Sequence, residues 1–453
     1  MPDHQVRSLS DLFNRPPFYL AGAFHIHPKI SSVLRRIIRV PHRYAYVYSC
    51  SVTDEQLSAL QPKAGFESVL EGQGCSIEGP LEATLISVYE ATERLFSLHV
   101  DTAALVSGSF VDLQPSAVHP GEFILPRTWE YEQCSYPYVR YRDTLKLHWL
   151  PCYQITKDEL IPRLIPASLA VTGYSLQHAA ERFVPILSTG LAAGTRLAQT
   201  ILRGIYEVVE RDAFMITWLN RLSCRRLQAQ STSLPVGDSL SQLFEDGFSV
   251  DFVDLTTDLG IPVILTVIEH RVPELKPNGS KIFGLGCHLN PERALVKSYI
   301  EALRLLLNYY EFDEDDELNV RRVDLYSENR FFDESYFQKT DFLNESEEFV
   351  ELEQMSADRA ADDYESELRA CLTALNGKGA DLFFADFTPE ELRDASYSLT
   401  RVFISKMQPH LYEHDFWRLD NPRITAAPVA MGYRQVPLNE KDLNLLPNPF
   451  ALR

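Results

Sequence analysis

Apolar positions along this chain alternate between two spacings, and the changes outline its elements. Over residues 196–219, Leu197, Ile201, Leu202, Ile205 and Val209 recur every three or four positions, the stripe of an amphipathic helix. Thr195 stands before it as an N-cap, and Gly190-Leu-Ala-Ala-Gly194 reads as a glycine-rich turn opening the helix. The same spacing predicts helices over about 81–96 and 291–309. Each follows a turn with two glycines, Gly72 with Gly74 and Gly284 with Gly286. Short apolar runs predict strands at 248–255, 261–269 and 380–385. Segment 145–174 reads as strand-rich, punctuated by Pro151, Pro162 and Pro166, and 390–396 as helix-like.

Strands and helices interspersed throughout give an α/β (α+β) fold class, mixed sheets with packed helices. Residues 1–65 form an N-terminal α/β preface of short apolar runs between proline-containing loops. The main unit is 66–453, with sub-lobes about 66–145, 146–310 and 311–453. At roughly 100–200 residues per domain, 453 residues allow two to four lobes, each with its own core.

Composition then narrows the partners. A net charge of -20 repels phosphate backbones and anionic lipid, so neither nucleic acid nor membrane is expected as a partner. The same field suits a site that collects cations, and it leaves room for an anion in a locally positive pocket. Cys50, Cys75, Cys134, Cys152, Cys224, Cys287 and Cys371 are scattered without a C-x-x-C pair, which argues against structural zinc and for a reducing compartment. The first residues carry charges and no apolar signal core. The longest uncharged run, 164–180, holds Pro166, Gly173, Gln177 and His178, too polar for a membrane span. A cytoplasmic protein is expected. Acidic clusters at 311–317 and 341–353 read as solvated loops.

One echo carries the chemistry. Tyr89-Glu90-Ala-Thr-Glu93-Arg94 recurs as Tyr206-Glu207-Val-Val-Glu210-Arg211, and more loosely as Tyr299-Ile-Glu301-Ala-Leu-Arg304. Residues i, i+3 and i+4 share a helix face, so Glu207, Glu210 and Arg211 point together with Arg203 one turn earlier. Lys297, Glu301, Arg304 and Asn308 line up likewise. Paired carboxylates repel unless a cation neutralises them, and Mg²⁺ prefers carboxylate and water oxygens beside nucleotide phosphates. Two such pairs, Glu90 with Glu93 and Glu207 with Glu210, would make a four-carboxylate nest. Arginines opposite would grip phosphates with a planar fork. A surface helix laced with Glu–Arg pairs is the alternative for any single copy.

At these residues the chain resembles the YcaO family. The similarity runs from Ser188-Thr189-Gly190 through Glu207, Glu210, Arg211 and Trp218, and from Gly284-Leu-Gly286 through Glu301 and Arg304, with 81–94 as the first Glu-x-x-Glu-Arg helix. It covers roughly 66–453 and is strongest over 149–310. The resemblance implies a YcaO-type fold with three nucleotide-site helices, and ATP and Mg²⁺ as cofactors. Glu90, Glu93, Glu207 and Glu210 would hold the metal. Gln73, Arg94, Ser188, Thr189, Arg211, Glu301 and Arg304 would contact ATP. Gln73 stands where a Lys is usual, and Ile86 where a Ser is usual.

What the resemblance further implies is a stand-alone cyclodehydratase of azoline-forming peptide synthetases. A Cys, Ser or Thr of a precursor peptide attacks the preceding carbonyl, ATP phosphorylates the oxyanion, and loss of phosphate leaves the ring. Implied partners are the precursor peptide, a separate leader-binding ThiF-like/RRE protein, a flavin dehydrogenase as a further candidate, and a second copy in a homodimer. The ending Pro447-Asn-Pro449-Phe450 resembles the family's proline-rich tail and is the suspected catalytic element. Two other readings stay open: a thioamide-forming enzyme using sulfide, and a nucleotide-binding scaffold without catalysis.

Remaining signals are weaker. His25-Ile-His27 lacks a third metal ligand nearby, so it reads as structural. Cys287 and His288 point to opposite sides of a strand, so Cys287 reads as packing.

Overall fold

The computed structural model describes residues 28–53, 70–98, 101–132, 137–157, 159–228, 236–272, 281–312, 318–320, 334–355, 361, 363–393, 395–410 and 417–450. His25, His27 and Cys134 lie outside the described residues.

Three antiparallel strands, β1 (Leu34–Val40), β2 (Tyr46–Val52) and β3 (Gly72–Ser76), form the first sheet in that order. Helix α1 (Pro80–Phe96) covers β2 and β3. Pro80 at its first position suits a helix start, where an N–H would have no partner. A mostly antiparallel five-stranded sheet has β8 (Arg226–Leu227), β9 (Phe248–Asp254), β10 (Val263–His270), β11 (Ile282–Cys287) and β14 (Phe349–Val350), ordered β11-β10-β9-β8-β14. Helix α3 (Pro291–Leu306) lies on β11 and β10. The third sheet runs β4 (Val106–Gly108), β5 (Leu147–Ile155), β15 (Leu382–Asp386), β16 (Ser398–Ile404), β7 (Leu191–Gly194), with β6 (Leu160–Pro166) also on β5. A hairpin of β12 (Tyr310–Phe312) and β13 (Leu318–Val320) follows α3.

Between the second and third sheets runs α2 (Leu197–Asn220), touching β16, β7, β10 and β11. The spacing predicted one apolar stripe. Instead every residue of α2 except Gln199, Arg203 and Glu207 is buried. Its apolar neighbours come from both sheets, including Val253, Leu265 and Leu285 on one side and Phe384, Val402 and Ile404 on the other.

Both expected Gly-x-Gly turns are strands. A Cβ on Gly72 would sit 2.1 Å from the Ser87 carbonyl oxygen, and one on Gly74 1.9 Å from that of Ala83. Gly284 and Gly286 would place theirs 2.2 Å from the carbonyl oxygens of Ser298 and Ala294. The glycines let each helix lie directly on strand backbone, so β3–α1 and β11–α3 are two copies of one device. Gly190-to-Gly194 also departs from expectation: all but Gly190 are strand β7. Thr195 is not the cap of α2; Arg196 occupies that position without a side-chain bond. The described residues of the 390–396 segment hold a 3₁₀ turn, Glu390–Leu392, and no α-helix.

The close approach yields a stability prediction. Gly284→Ala meets backbone at 2.2 and 2.4 Å, and neither atom can swing aside. It should cost about 3 kcal/mol, the upper end of overpacking. Gly79→Ala is the control, with no atom within 4 Å of its Cβ, and should shift stability by less than about 0.5 kcal/mol. Urea midpoints of the two variants measure the contrast.

Candidate active site

Helix α1 brings Glu90, Glu93 and Arg94 to the site, and β3 fixes the first of these. The Gln73 backbone N–H donates to Glu90 Oε2 at 2.8 Å, while Arg94 holds Oε1 at 2.6 Å. Arg94 also donates to the Glu71 carbonyl at 2.7 Å. Glu93 reaches across to the third sheet, where the Ala193 N–H donates to its Oε2 at 3.0 Å. Glu207 on α2 accepts from the Gly190 N–H at 3.0 Å. Gly190 has φ +86, and a Cβ there would lie 2.1 Å from the Val402 carbonyl oxygen, so only glycine suits this turn. The glycine-rich run thus grips two carboxylates with its N–H groups rather than opening a helix toward a phosphate.

The third helix completes the ring. Lys297 Nζ on α3 pairs with Glu210 at 2.9 Å. Glu301 and Arg304 follow on the same helix, half-buried, whereas Asn308 falls beyond its last turn at Leu306. Glu210 and Arg211 are 1% and 5% exposed, so α2 is not a surface helix laced with ion pairs.

Burial gives these groups unusual energetics. The Glu93 carboxyl is pushed up to about 8, first by burial and then by the charges of Glu207 and Glu90. Glu207 is also raised by burial, against the pull of Arg211. Lys297, exposed on α3, is held above its usual range by its ion pair with Glu210. Ionising Glu93 and Glu207 together is therefore costly until a cation arrives between them. Each has one oxygen engaged by a backbone N–H. Among the described residues, no three acidic, His or Cys side chains already stand at metal-holding spacing. The donor chemistry nonetheless fits a hard divalent cation: carboxyl oxygens from two helices, which repel each other when ionised.

The tail reaches the same helix. Trp218 Nε1 donates to the Leu446 carbonyl at 3.0 Å, and the Tyr336 hydroxyl to that of Pro447 at 2.8 Å. Phe450 is 2% exposed and meets Phe214 edge-on at 4.8 Å. The Arg211 guanidinium lies over its ring at 5.8 Å. Residues 451–453 lie outside the described residues. Asp212, next to Arg211, accepts from the Gln408 N–H at 2.8 Å and pairs with Arg423 at 3.0 Å, which ties the C-terminal segment to α2.

Ser188 is exposed, and Thr189 is half-buried and lines a cleft with Arg211. Two lining residues escaped sequence reasoning, Arg401 and Arg418. Arg401 is 3% exposed within β16, the one charge in a strand that also holds Ser398 and Thr400. Cys287 is buried, and burial then Glu210 raise its thiol well above the usual range, so it stays protonated. Ile86 is exposed on α1 and Ser87 fully buried.

Comparison with known proteins identifies the family. The family model of YcaO cyclodehydratases, ATP- and Mg²⁺-binding, matches residues 77–408. The chain belongs to this family. ATP and Mg²⁺ are accordingly its cofactors. An uncharacterized protein of Methanothermobacter thermautotrophicus is 25% identical over 360 residues, 78% of this chain and 85% of that one. A heterocyclase solved in complex with substrate and cofactor superposes with TM-score 0.74 over 92% of this chain at 20% identity. This chain spans only 55% of that protein's length. The YcaO of Methanopyrus kandleri, bound with AMPPCP and Mg²⁺, superposes at TM-score 0.59 with 15% identity, covering 83% of this chain and 87% of its own. At these identities the structural likeness establishes the fold. No described helix is long and apolar enough to cross a membrane.

Proposed function

We propose that this chain activates a peptide backbone amide by ATP-dependent phosphorylation, and that it makes azolines from Cys, Ser or Thr of a ribosomally synthesised precursor. The observation carrying this reading is the pair of half-buried, mutually repelling carboxylates Glu93 and Glu207, brought together from two helices beside Arg211. Glu90, Glu93, Glu207 and Glu210 would hold Mg²⁺. Gln73, Arg94, Ser188, Thr189, Arg211, Glu301 and Arg304 would hold the nucleotide.

ATP supplies the phosphoryl group that turns the amide oxygen into a leaving group. The chain's own residues do the rest by position and charge, the main requirements of phosphoryl transfer. The arginines balance negative charge that builds up on the transferred group. Packing of Phe450 beneath Arg211 keeps that guanidinium in place and water out. Pro447 and Pro449 stiffen the segment that delivers Phe450.

The substrate would be a precursor peptide presented by a separate leader-binding protein, in the cytoplasm, to a homodimer of this chain. The similar fold of a heterocyclase in complex with substrate and cofactor supports the peptide reading. The test incubates the chain, its partner, ATP, Mg²⁺ and candidate precursor peptides, and follows peptide mass and phosphate. Loss of one water per modified residue is expected. Exchange of oxygen for sulfur, with sulfide added, would assign the thioamide reaction instead. No phosphate release with any peptide would leave a binding scaffold.

A further inference from the structure

Beside the carboxylates, between α2 and the third sheet, lies a cleft that opens to solvent. Leu169, Leu187, Val208, Phe403 and Met407 make apolar walls. Three arginines line it as well, Arg211, Arg401 and Arg418, and no acidic side chain does. All three are at most 5% exposed. In a chain of net charge -20 this is a local reversal of sign.

Two of its polar atoms lack partners. Arg401 donates Nη1 to the Ala170 carbonyl at 3.0 Å and Nη2 to the Leu187 carbonyl, but its Nε is buried with no hydrogen bond. Thr189 Oγ1 is likewise buried without one. Such groups cost free energy until an acceptor arrives. Thr189 precedes Gly190, whose N–H holds Glu207, so the cleft adjoins the metal-side carboxylate directly.

We propose that this cleft is the specificity pocket for the substrate residue flanking the activated amide. An uncharged apolar side chain fills the walls, and the backbone carbonyl beside it accepts from Arg401 Nε. This rests on the amide-activating reading, which makes the substrate a peptide. The apolar walls favour an apolar side chain over none, since each buried CH₂ adds to binding. Cationic side chains are rejected: a lysine here would lose its hydration and face three guanidinium groups.

The test titrates acetyl-Phe-Cys-amide, acetyl-Gly-Cys-amide and acetyl-Lys-Cys-amide into the full-length chain loaded with AMPPCP and Mg²⁺, reading Kd by NMR. The Phe peptide should bind at least about tenfold tighter than the Gly peptide, worth one methyl-rich side chain or more of burial. The Lys peptide should bind more weakly than the Gly peptide. Leu187→Trp fills the cleft from a half-buried loop and should weaken the Phe peptide about tenfold, with AMPPCP binding as the folding control. If that variant does not fold, Leu187→Ala should reduce the Phe-over-Gly preference. Equal Kd values for the three peptides overturn the proposal, as does undiminished preference in the Leu187 variants. Discrimination among peptides without ATP-dependent product would keep the pocket and remove the amide-phosphorylation reading. Equal kcat/KM for Phe- and Lys-flanked substrates would do the reverse.

Discussion

Glu207→Gln is expected to weaken Mg²⁺-dependent nucleotide binding by on the order of 100-fold or more, while the chain stays folded. Loss of a group that merely supports a metal ligand typically costs 10–100-fold, so loss of a ligand charge should cost at least about that. Stability should not suffer. The Gln side-chain oxygen can still accept the Gly190 N–H that Glu207 now accepts at 3.0 Å. Glu93 and Glu210 lose a like-charged neighbour. Hence the melting temperature should hold or rise as affinity collapses, the opposite of what simple misfolding produces. Calorimetric titration with AMPPCP, with and without Mg²⁺, reads the affinity, and a thermal melt reads the fold. Ordinary binding by this variant would remove Glu207 from the metal site.

Phe450→Ala is expected to cost about 3 kcal/mol of stability, in the range for a buried phenylalanine, and to lower product formation by about 100-fold. The ring touches Phe214 at 4.8 Å and lies under Arg211. Without it Arg211 loses its support, and displacement of a positioning group by about 1 Å can cost 100-fold in rate. Nucleotide affinity should change far less, because Glu90, Glu93 and Glu207 take their bonds from β3, β7 and Gly190. A chain extended beyond Arg453 should likewise lose ring formation and keep its fold. Comparing C-terminally and N-terminally tagged protein checks this. Equal rates would detach the tail from the chemistry.

Much of this site could be read from residue types. The recurring Glu-x-x-Glu-Arg pattern located both carboxylate pairs, because i and i+3 positions share a helix face wherever the helix lies. Burial was harder. Periodicity in α2 marks one stripe, yet two sheets enclose the helix, and only packing across 200 residues of chain decides that Glu210 and Arg211 lie inside. Glycine misled for a physical reason. It serves turns and close backbone contact equally. Gly72, Gly74, Gly284 and Gly286 serve the second, and their common placement before a helix was the available clue. Arg401 was invisible as a site residue because a single charge in a strand says nothing about what faces it.

The central claim is that a peptide amide oxygen receives the γ-phosphoryl group. The most direct test labels the carbonyl oxygen of the precursor peptide with oxygen-18, runs the reaction with ATP and Mg²⁺, and measures the isotope in the released phosphate. Amide phosphorylation predicts one labelled oxygen per phosphate formed with product, for ring and thioamide alike. Phosphate released without label would mean that ATP is hydrolysed by water, and the account of this site would be wrong.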